Sequence, residues 1–278
     1  MIMNISSKVK LNNGVEMPWF GLGVFRSEEG SEVENAVLTA LENGYRHIDT
    51  AAIYKNERGV GNAVKESGIA REEIFITSKV WNTDQGYNKT IKAFEGSLER
   101  LQMDYLDLYL VHWPKGKRSV ESWKALEELY KKGKIRAIGV SNFLVPHLEE
   151  FLPECKIIPA VNQYEFHPEL LQPELLDYCN NKGIQAEAWS PIMKGKVVDL
   201  PLMQELAEKY GKNPVQIVLR WDIQKGVVTI PKSVTPERII SNSDIFDFEL
   251  SEEDIVKIDS LNKAESGRIG FHPDTIPF

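Results

Sequence analysis

Cysteine is scarce in this sequence, and metal-ligating residues are not grouped. The two cysteines, Cys155 and Cys179, lie far apart, and the five histidines are scattered along the chain. Neither a CxxC pair nor an HExxH pattern occurs, so the sequence predicts no metal site. We expect both thiols to be reduced and incidental to function.

Long apolar runs and basic stripes are also missing. No run approaches the roughly 18 apolar residues of a membrane span, and the first residues lack the apolar segment of a signal peptide. The formal net charge is −8, whereas a nucleic-acid surface needs a concentration of positive charge. We therefore expect a cytoplasmic protein whose partners include neither nucleic acid nor a membrane.

A regular alternation fills most of the chain. After a hairpin signal at Asn13-Gly14, eight short β-rich runs alternate with eight amphipathic segments, and no Ser/Gly/Pro-rich linker interrupts them. The pattern predicts strands over 18–23, 45–51, 73–80, 105–113, 135–142, 158–167, 184–191 and 226–233. It predicts helices over 31–44, 57–68, 88–102, 119–133, 144–152, 169–183, 213–226 and 235–244.

This alternation is typical of an α/β fold, the parallel (β/α)8 or TIM barrel. We expect one domain over residues 1–278, with the N-terminal β-hairpin plugging the barrel and two extra helices over 200–211 and 251–264. An open doubly wound sheet uses the same units, but it usually carries GxGxxG after its first strand. Here Gly21 and Gly23 are followed by Arg26, which disfavours that alternative.

Three polar side chains of special interest end predicted strands, where the active site of such a barrel lies. They are Asp49, Lys79 and His112, and Tyr54 follows one short loop after Asp49. Each has an ordinary explanation on its own: a helix cap, a solvated lysine, a core histidine. Together they form a proton-transfer set, because an ammonium near a phenol lowers its pKa from about 10. Asp49 would keep Lys79 charged, and His112 would bind a substrate oxygen.

Successive motifs of the chain resemble those of the aldo-keto reductases. The resemblance runs from about Val9 to Asn262 through "HIDTAAIYKNERGVG", "ITSKVWN", "DLYLVHWP", "GVSNF", "NQYEFHP", "AWSP" and "IPKSVTPERI". It places the family's catalytic tetrad on Asp49, Tyr54, Lys79 and His112. It implies that NADPH delivers hydride to a carbonyl carbon while Tyr54 protonates the oxygen and His112 orients it.

The same resemblance implies a cofactor site. Ser141, Asn142 and Gln163 would hold the nicotinamide carboxamide, and Trp189 would stack on the ring. A helix starting at Thr235-Pro236 would favour the 2′-phosphate, together with Lys232, Ser233 and Arg238, while Asn242 would contact the adenine and Ser241 replaces a common glutamate. The full predicted set is Gly23, Val24, Phe25, Asp49, Ser141, Asn142, Gln163, Trp189, Ser190, Pro191, Ile192, Lys194, Ile230, Lys232, Ser233, Val234, Arg238 and Asn242.

An aromatic wall is expected on the substrate side. The resemblance assigns it to Phe25, Trp81 and Trp113, with Asn82, Tyr54 and His112 as polar groups. The motifs are closest to bacterial glyoxal/methylglyoxal reductases, then to 2,5-diketogluconate reductases. The predicted function is therefore NADPH-dependent reduction of small aldehydes, 2-oxoaldehydes and keto-sugars by a monomer.

Two other classes stay open. The chain could be a non-catalytic NADPH-binding regulatory barrel, because fold does not fix function, although the tetrad is intact. It could also be a barrel isomerase or lyase using Asp49 and His112. That reading leaves the cluster of Lys232, Ser233 and Arg238 without a role.

Overall fold

The N-terminal hairpin is the first element of the chain, and it closes one end of the barrel. The computed structural model describes residues 3–276, so the ends of the predicted 1–278 domain lie outside it. Strands β1 (Lys8–Lys10) and β2 (Glu16–Pro18) pair antiparallel. Leu11 and Met17 of this hairpin are buried against barrel residues such as Leu108. The predicted plug is confirmed.

The central sheet has eight parallel strands, each hydrogen-bonded to the next. They are β3 (Leu22–Gly23), β4 (His47–Asp49), β5 (Phe75–Val80), β6 (Leu106–Val111), β7 (Ile135–Ser141), β8 (Val161–Glu165), β9 (Gln185–Trp189) and β10 (Val228–Thr229). Every one lies within a run that the sequence predicts. All residues of β5 and β6 are buried, because a strand of this fold is covered on both faces.

Main-chain hydrogen bonds close the sheet into a barrel. The Thr229 amide donates to the Trp19 carbonyl at 3.1 Å, and the Gly21 amide donates to the Thr229 carbonyl at 3.0 Å. One step further along, the Gly23 amide donates to the Pro231 carbonyl at 3.3 Å. The last strand therefore pairs with the first, and the predicted (β/α)8 barrel is confirmed.

Ten α-helices surround the barrel in the described part of the chain. They are α1 (Ser31–Glu42), α2 (Glu57–Glu66), α3 (Tyr87–Leu101), α4 (Lys117–Lys131), α5 (Val145–Phe151), α6 (Pro173–Asn181), α7 (Pro201–Tyr210), α8 (Pro214–Gln224), α9 (Pro236–Ser243) and α10 (Glu252–Asp259). Helices α7 and α10 are the two predicted additions. None of these helices has the length and apolar character to cross a membrane.

The start of α6 differs from the sequence prediction. The periodicity predicts a helix from residue 169, but α6 begins at Pro173. Gln172 adopts a positive φ of 46°, and Leu170 is bridged to His167 instead of joining the helix. A proline favours the first helical position because it has no amide hydrogen to donate. The helix prediction was therefore wrong for residues 169–172.

Candidate active site

A buried ion pair lies at the carboxyl end of the barrel. The Lys79 ammonium donates to both Asp49 carboxylate oxygens, at 2.7 and 2.8 Å, and to the Thr50 carbonyl at 2.9 Å. Lys79 is 0% exposed and Asp49 is 2% exposed. Three acceptors match the three N–H groups of an ammonium. Burial alone lowers the pKa of Lys79, but the Asp49 charge and Tyr54 raise it above the ordinary lysine value.

Tyr54 lies over this pair, at the end of a 3-10 turn (Ala52–Tyr54). The Lys79 ammonium is 5.1 Å from the centre of its ring. Burial raises the pKa of Tyr54, the Lys79 charge lowers it, and the Asp49 charge raises it again, so the net pKa lies above the ordinary phenol value. Lys79 lowers the pKa of Tyr54 as expected, but burial outweighs the ammonium, so the net shift is upward. Tyr54 therefore carries its proton at neutral pH.

His112 follows β6 directly and faces Tyr54 across the same opening. The two ring centres are 5.9 Å apart. Burial, helped by the Lys79 charge, holds the pKa of His112 well below the ordinary imidazole value. A neutral imidazole has one N–H to donate and one nitrogen that accepts. Among the described residues, His112 Nδ1 is buried without a hydrogen-bond partner.

Asn142 connects two of the predicted site residues. Its Nδ2 donates to the His112 carbonyl at 3.0 Å, and its Oδ1 accepts from the Trp189 indole nitrogen at 2.8 Å. Asn142 has a positive φ of 65°, a conformation that asparagine tolerates better than most residues. The indole of Trp189 is thus held at the barrel mouth by a fixed amide.

Gln163 connects the ion pair to a residue that the sequence analysis missed. Its Nε2 donates to Asp49 Oδ2 at 2.8 Å and to Glu187 Oε2 at 2.9 Å. The Gln163 carbonyl accepts from the Ser141 hydroxyl at 2.8 Å. Glu187 is fully buried. Glu187 could have been found from the sequence, because a charged residue is unusual in the middle of a strand that is covered on both faces.

The basic residues near α9 form a separate group. Lys232 is partly exposed and Arg238 is exposed, and neither forms an ion pair with another described residue. Thr235 occupies the N-cap position, but its side chain makes no cap hydrogen bond. The Ser233 hydroxyl instead accepts from the Thr235 amide at 3.2 Å. The Arg238 amide donates to the Thr235 carbonyl at 3.0 Å, so the start of α9 offers mainly the positive charges of Lys232 and Arg238.

Other predicted cofactor residues lie in or after the barrel strands and in α9. Gly23 must be a glycine, because a Cβ there would lie 2.9 Å from the Ile230 carbonyl. Ser241 accepts from Asn213 Nδ2 at 3.0 Å, so it has a structural partner in the N-cap of α8. Asn242 is buried. Val24, Ser190, Pro191, Ile192, Ile230 and Val234 all lie near the carboxyl ends of the strands or in the loops after them.

Lys194 is engaged elsewhere. Its ammonium donates to the Ile269 carbonyl in the C-terminal tail at 2.9 Å. Buried Glu165 holds the same tail, accepting from the Ile269 amide at 2.7 Å and from the Gly270 amide at 3.1 Å. A Cβ on Gly270 would lie 2.3 Å from the Trp189 ring. The tail therefore packs against Trp189, a contact that the sequence analysis did not anticipate.

Aromatic side chains lie beside the rings of Tyr54 and His112. Phe25 lies 4.9 Å from Tyr54, between ring centres, and is 51% exposed. Trp81 meets His112 edge-on at 5.1 Å, and Trp113 lies parallel to it at 6.4 Å. Asn82 is buried beside them. The opening is apolar, with a phenol and an imidazole at its base.

Comparisons with known proteins agree with one another. Residues 20–263 match the aldo/keto reductase family. Glyoxal reductase of Bacillus subtilis (strain 168) is 63% identical, with 100% of both chains covered. Methylglyoxal reductase DkgA of Yersinia pestis is 46% identical over 98% of each chain. A mutant of Gox0644, solved in complex with NADPH, has a TM-score of 0.93 and 40% identity, with 98% of this chain and 99% of that chain covered.

Proposed function

The chain belongs to the aldo/keto reductase family, and on that premise we propose that it reduces small 2-oxoaldehydes such as glyoxal and methylglyoxal with NADPH. The observation that carries this proposal is the convergence of a protonated Tyr54, a neutral His112 and the buried Asp49–Lys79 pair on one apolar opening. A scaffold without catalysis gains nothing from burying such groups.

The donors at the mouth fit a nicotinamide cofactor. Both Gln163 Nε2 hydrogens are engaged on carboxylates, so its Oε1 is the atom left to accept from a carboxamide. Trp189 offers a flat ring whose position is fixed by Asn142. We assign the nicotinamide end of the cofactor to these residues together with Ser141.

The other end of the cofactor fits the start of α9. A phosphate is favoured at a helix N-terminus, and the cations of Lys232 and Arg238 have no ion-pair partner among the described residues. The 2′-phosphate of NADPH supplies the negative charge that these groups lack, whereas NADH has a hydroxyl there. This arrangement supports NADPH as the preferred cofactor.

Tyr54 is assigned the role of general acid. The bound cofactor supplies the hydride to the carbonyl carbon, and the carbonyl oxygen then needs a proton. Because its pKa is raised, Tyr54 holds that proton at neutral pH. The neighbouring Lys79 ammonium stabilises the phenolate that remains after transfer. Such general acid catalysis is typically worth about 10²–10⁴ in rate.

His112 is assigned to orientation. As a neutral ring 5.9 Å from Tyr54, it is placed to donate one hydrogen bond to the same substrate oxygen. Trp81 and Trp113 place apolar surface beside His112, and Phe25 does so beside Tyr54. An apolar pocket with a few polar groups suits small carbonyl compounds.

Keto-sugars are a second candidate class of substrate. Phe25 is half exposed at the opening, and Asn82, next to Trp81 in the chain, is a polar group on the substrate side. We also propose that the protein is cytoplasmic and monomeric. The cytoplasmic location agrees with the negative net charge.

The test is an assay of NADPH oxidation, followed by the absorbance of the reduced nicotinamide, with glyoxal, methylglyoxal and a keto-sugar. We expect turnover with both 2-oxoaldehydes and a higher kcat/KM for them than for the sugar. Absence of oxidation with all three would refute the reductase assignment. A preference for the sugar would overturn the substrate class alone.

A further inference from the structure

Glu187 is a buried carboxyl group beneath the tetrad that the proposed reaction does not use. It sits at the centre of β9 and is 0% exposed. Its Oε2 accepts from Gln163 Nε2 at 2.9 Å, and its Oε1 is buried without a hydrogen-bond partner among the described residues. A hydrophobic residue would fill this position at lower cost, because burying a carboxyl group without full hydrogen bonding is unfavourable.

The contacts with Asp49 and Glu187 together fix the direction of the Gln163 amide. A glutamine amide has one end with two N–H donors and one end that accepts. The Nε2 of Gln163 is shared between Asp49 Oδ2 at 2.8 Å and Glu187 Oε2 at 2.9 Å, so both of its hydrogens are used inside the barrel. With Asp49 alone as acceptor, one N–H would be unpaired and a single hydrogen bond would hold the amide, which could then rotate about that bond.

Titratable groups from β4, β5 and the turn that carries Tyr54 face Glu187. His47 Nε2, from β4, lies 3.7 Å from Glu187 Oε1 and 3.1 Å from the Thr77 hydroxyl. The charges of Asp49, at the end of β4, and of Lys79, on β5, both act on the pKa of Glu187. Glu187 also interacts electrostatically with Tyr54, in the turn above. Burial and the Asp49 charge raise the pKa of Glu187 to about 8, while burial lowers the pKa of His47 to about 3.

We propose that Glu187 is a positioning residue, which fixes the Gln163 amide so that its oxygen faces the nicotinamide carboxamide. The inference rests on the proposed function, because it assigns Glu187 a role only through a cofactor ligand. Burial and the Asp49 charge favour the neutral form of Glu187, in which Oε1 carries the proton and Oε2 remains the acceptor for Gln163. Two uncharged groups, Glu187 and His47, then lie side by side without repelling Asp49.

The proposal predicts an effect confined to one half of the cofactor. Glu187→Leu replaces the carboxyl group by an apolar side chain and removes one acceptor, so that only Asp49 still holds the Gln163 amide. We expect the NADPH affinity to fall roughly tenfold, the worth of one buried hydrogen bond. The affinity for 2′,5′-ADP, which has no nicotinamide, should be unchanged. Glu187→Gln, which still offers an acceptor oxygen, should bind NADPH within about threefold of the wild type.

A double-mutant cycle checks that the effect passes through Gln163. In a Gln163→Leu background, Glu187→Leu should cost no further NADPH affinity. Additive losses would overturn the proposal, as would equal losses of NADPH and 2′,5′-ADP or no loss at all in Glu187→Leu. If the wild type itself neither binds nor oxidises NADPH, the proposed function fails instead.

Glu187→Gln gives an independent readout if Glu187→Leu does not fold. In the wild type, ionised Glu187 raises the pKa of Tyr54. Tyr54 therefore stays protonated to a higher pH. The glutamine variant lacks this charge, so the alkaline limb of its reduction rate should shift to lower pH. An unshifted limb would show that Glu187 does not act on the site.

Discussion

The Lys79 ammonium lies within 2.8 Å of both Asp49 carboxylate oxygens, and the two side chains are buried together at the mouth of the barrel. Each charge is the other's main counter-ion. Neither can be removed alone without leaving an uncompensated charge in the interior. The pair is therefore a structural element of the barrel as well as part of the proposed site.

Lys79→Met should destabilise the protein strongly. Breaking a buried ion pair by removing one partner typically costs about 3–5 kcal/mol, measured here by urea unfolding. Lys124→Met, which breaks an exposed pair with Glu121, is the matched control and should leave stability nearly unchanged. Adding Asp49→Asn to Lys79→Met should restore part of the loss. If the double variant is the less stable, the pair is not the cause.

Tyr54→Phe should remove most of the turnover without removing cofactor binding. The change deletes only the hydroxyl that donates the proton, so we expect a fall of about 10²–10⁴ in kcat for methylglyoxal. NADPH binding, followed by tryptophan fluorescence, should be retained. Tyr178→Phe, on helix α6 away from the mouth, is the control. A Tyr54→Phe variant with near wild-type kcat would exclude this tyrosine as the acid.

The rate of reduction should stay constant as the pH falls through 6.5, the ordinary imidazole value. His112 is held neutral by burial and by Lys79, so its protonation begins only well below that pH. Measurement of kcat against pH with a saturating 2-oxoaldehyde checks this. A fall in kcat centred at pH 6.5 that His112→Asn abolishes would contradict the assignment of a depressed pKa.

Glu187 should make stability depend on pH with a definite sign. The pKa of Glu187 is raised from 4.5 to about 8, so the folded state holds its proton where the unfolded state has lost it. The stabilisation is therefore complete below pH 4.5 and is lost as the pH rises to about 8. Glu187→Gln should unfold at higher urea than the wild type at pH 8, and the difference should shrink towards pH 4.5. A constant difference would refute the shift.

Arg238→Ala should weaken NADPH binding far more than NADH binding. A charge-assisted hydrogen bond is worth about 1.5–3 kcal/mol, which corresponds to roughly 10–100-fold in affinity. Lys131→Ala, at the end of α4, changes the net charge equally and should have no effect. Equal losses for the two cofactors in Arg238→Ala would show that this side chain does not contact the 2′-phosphate.

The barrel and the polar groups at its mouth could be predicted from the sequence, because polar residues that follow apolar runs mark the ends of strands. Asp49, Lys79 and His112 were found in that way. The direction of the Tyr54 pKa was not predictable, since it depends on how deeply the ring is buried. Glu187 and Glu165 were missed, because a strand covered on both faces has no alternation that marks its inward positions.

The order of the strands divides the site into two halves. Asp49, Tyr54, Lys79 and His112 come from the first four barrel strands and their loops, whereas Gln163, Trp189, Lys232 and Arg238 come from the last four. Cofactor preference can therefore be redesigned by changes after β7 while the groups of the first half stay intact. A chain cut between β6 and β7 would leave each fragment with an incomplete site, so that recovered turnover would directly report reassembly of the barrel.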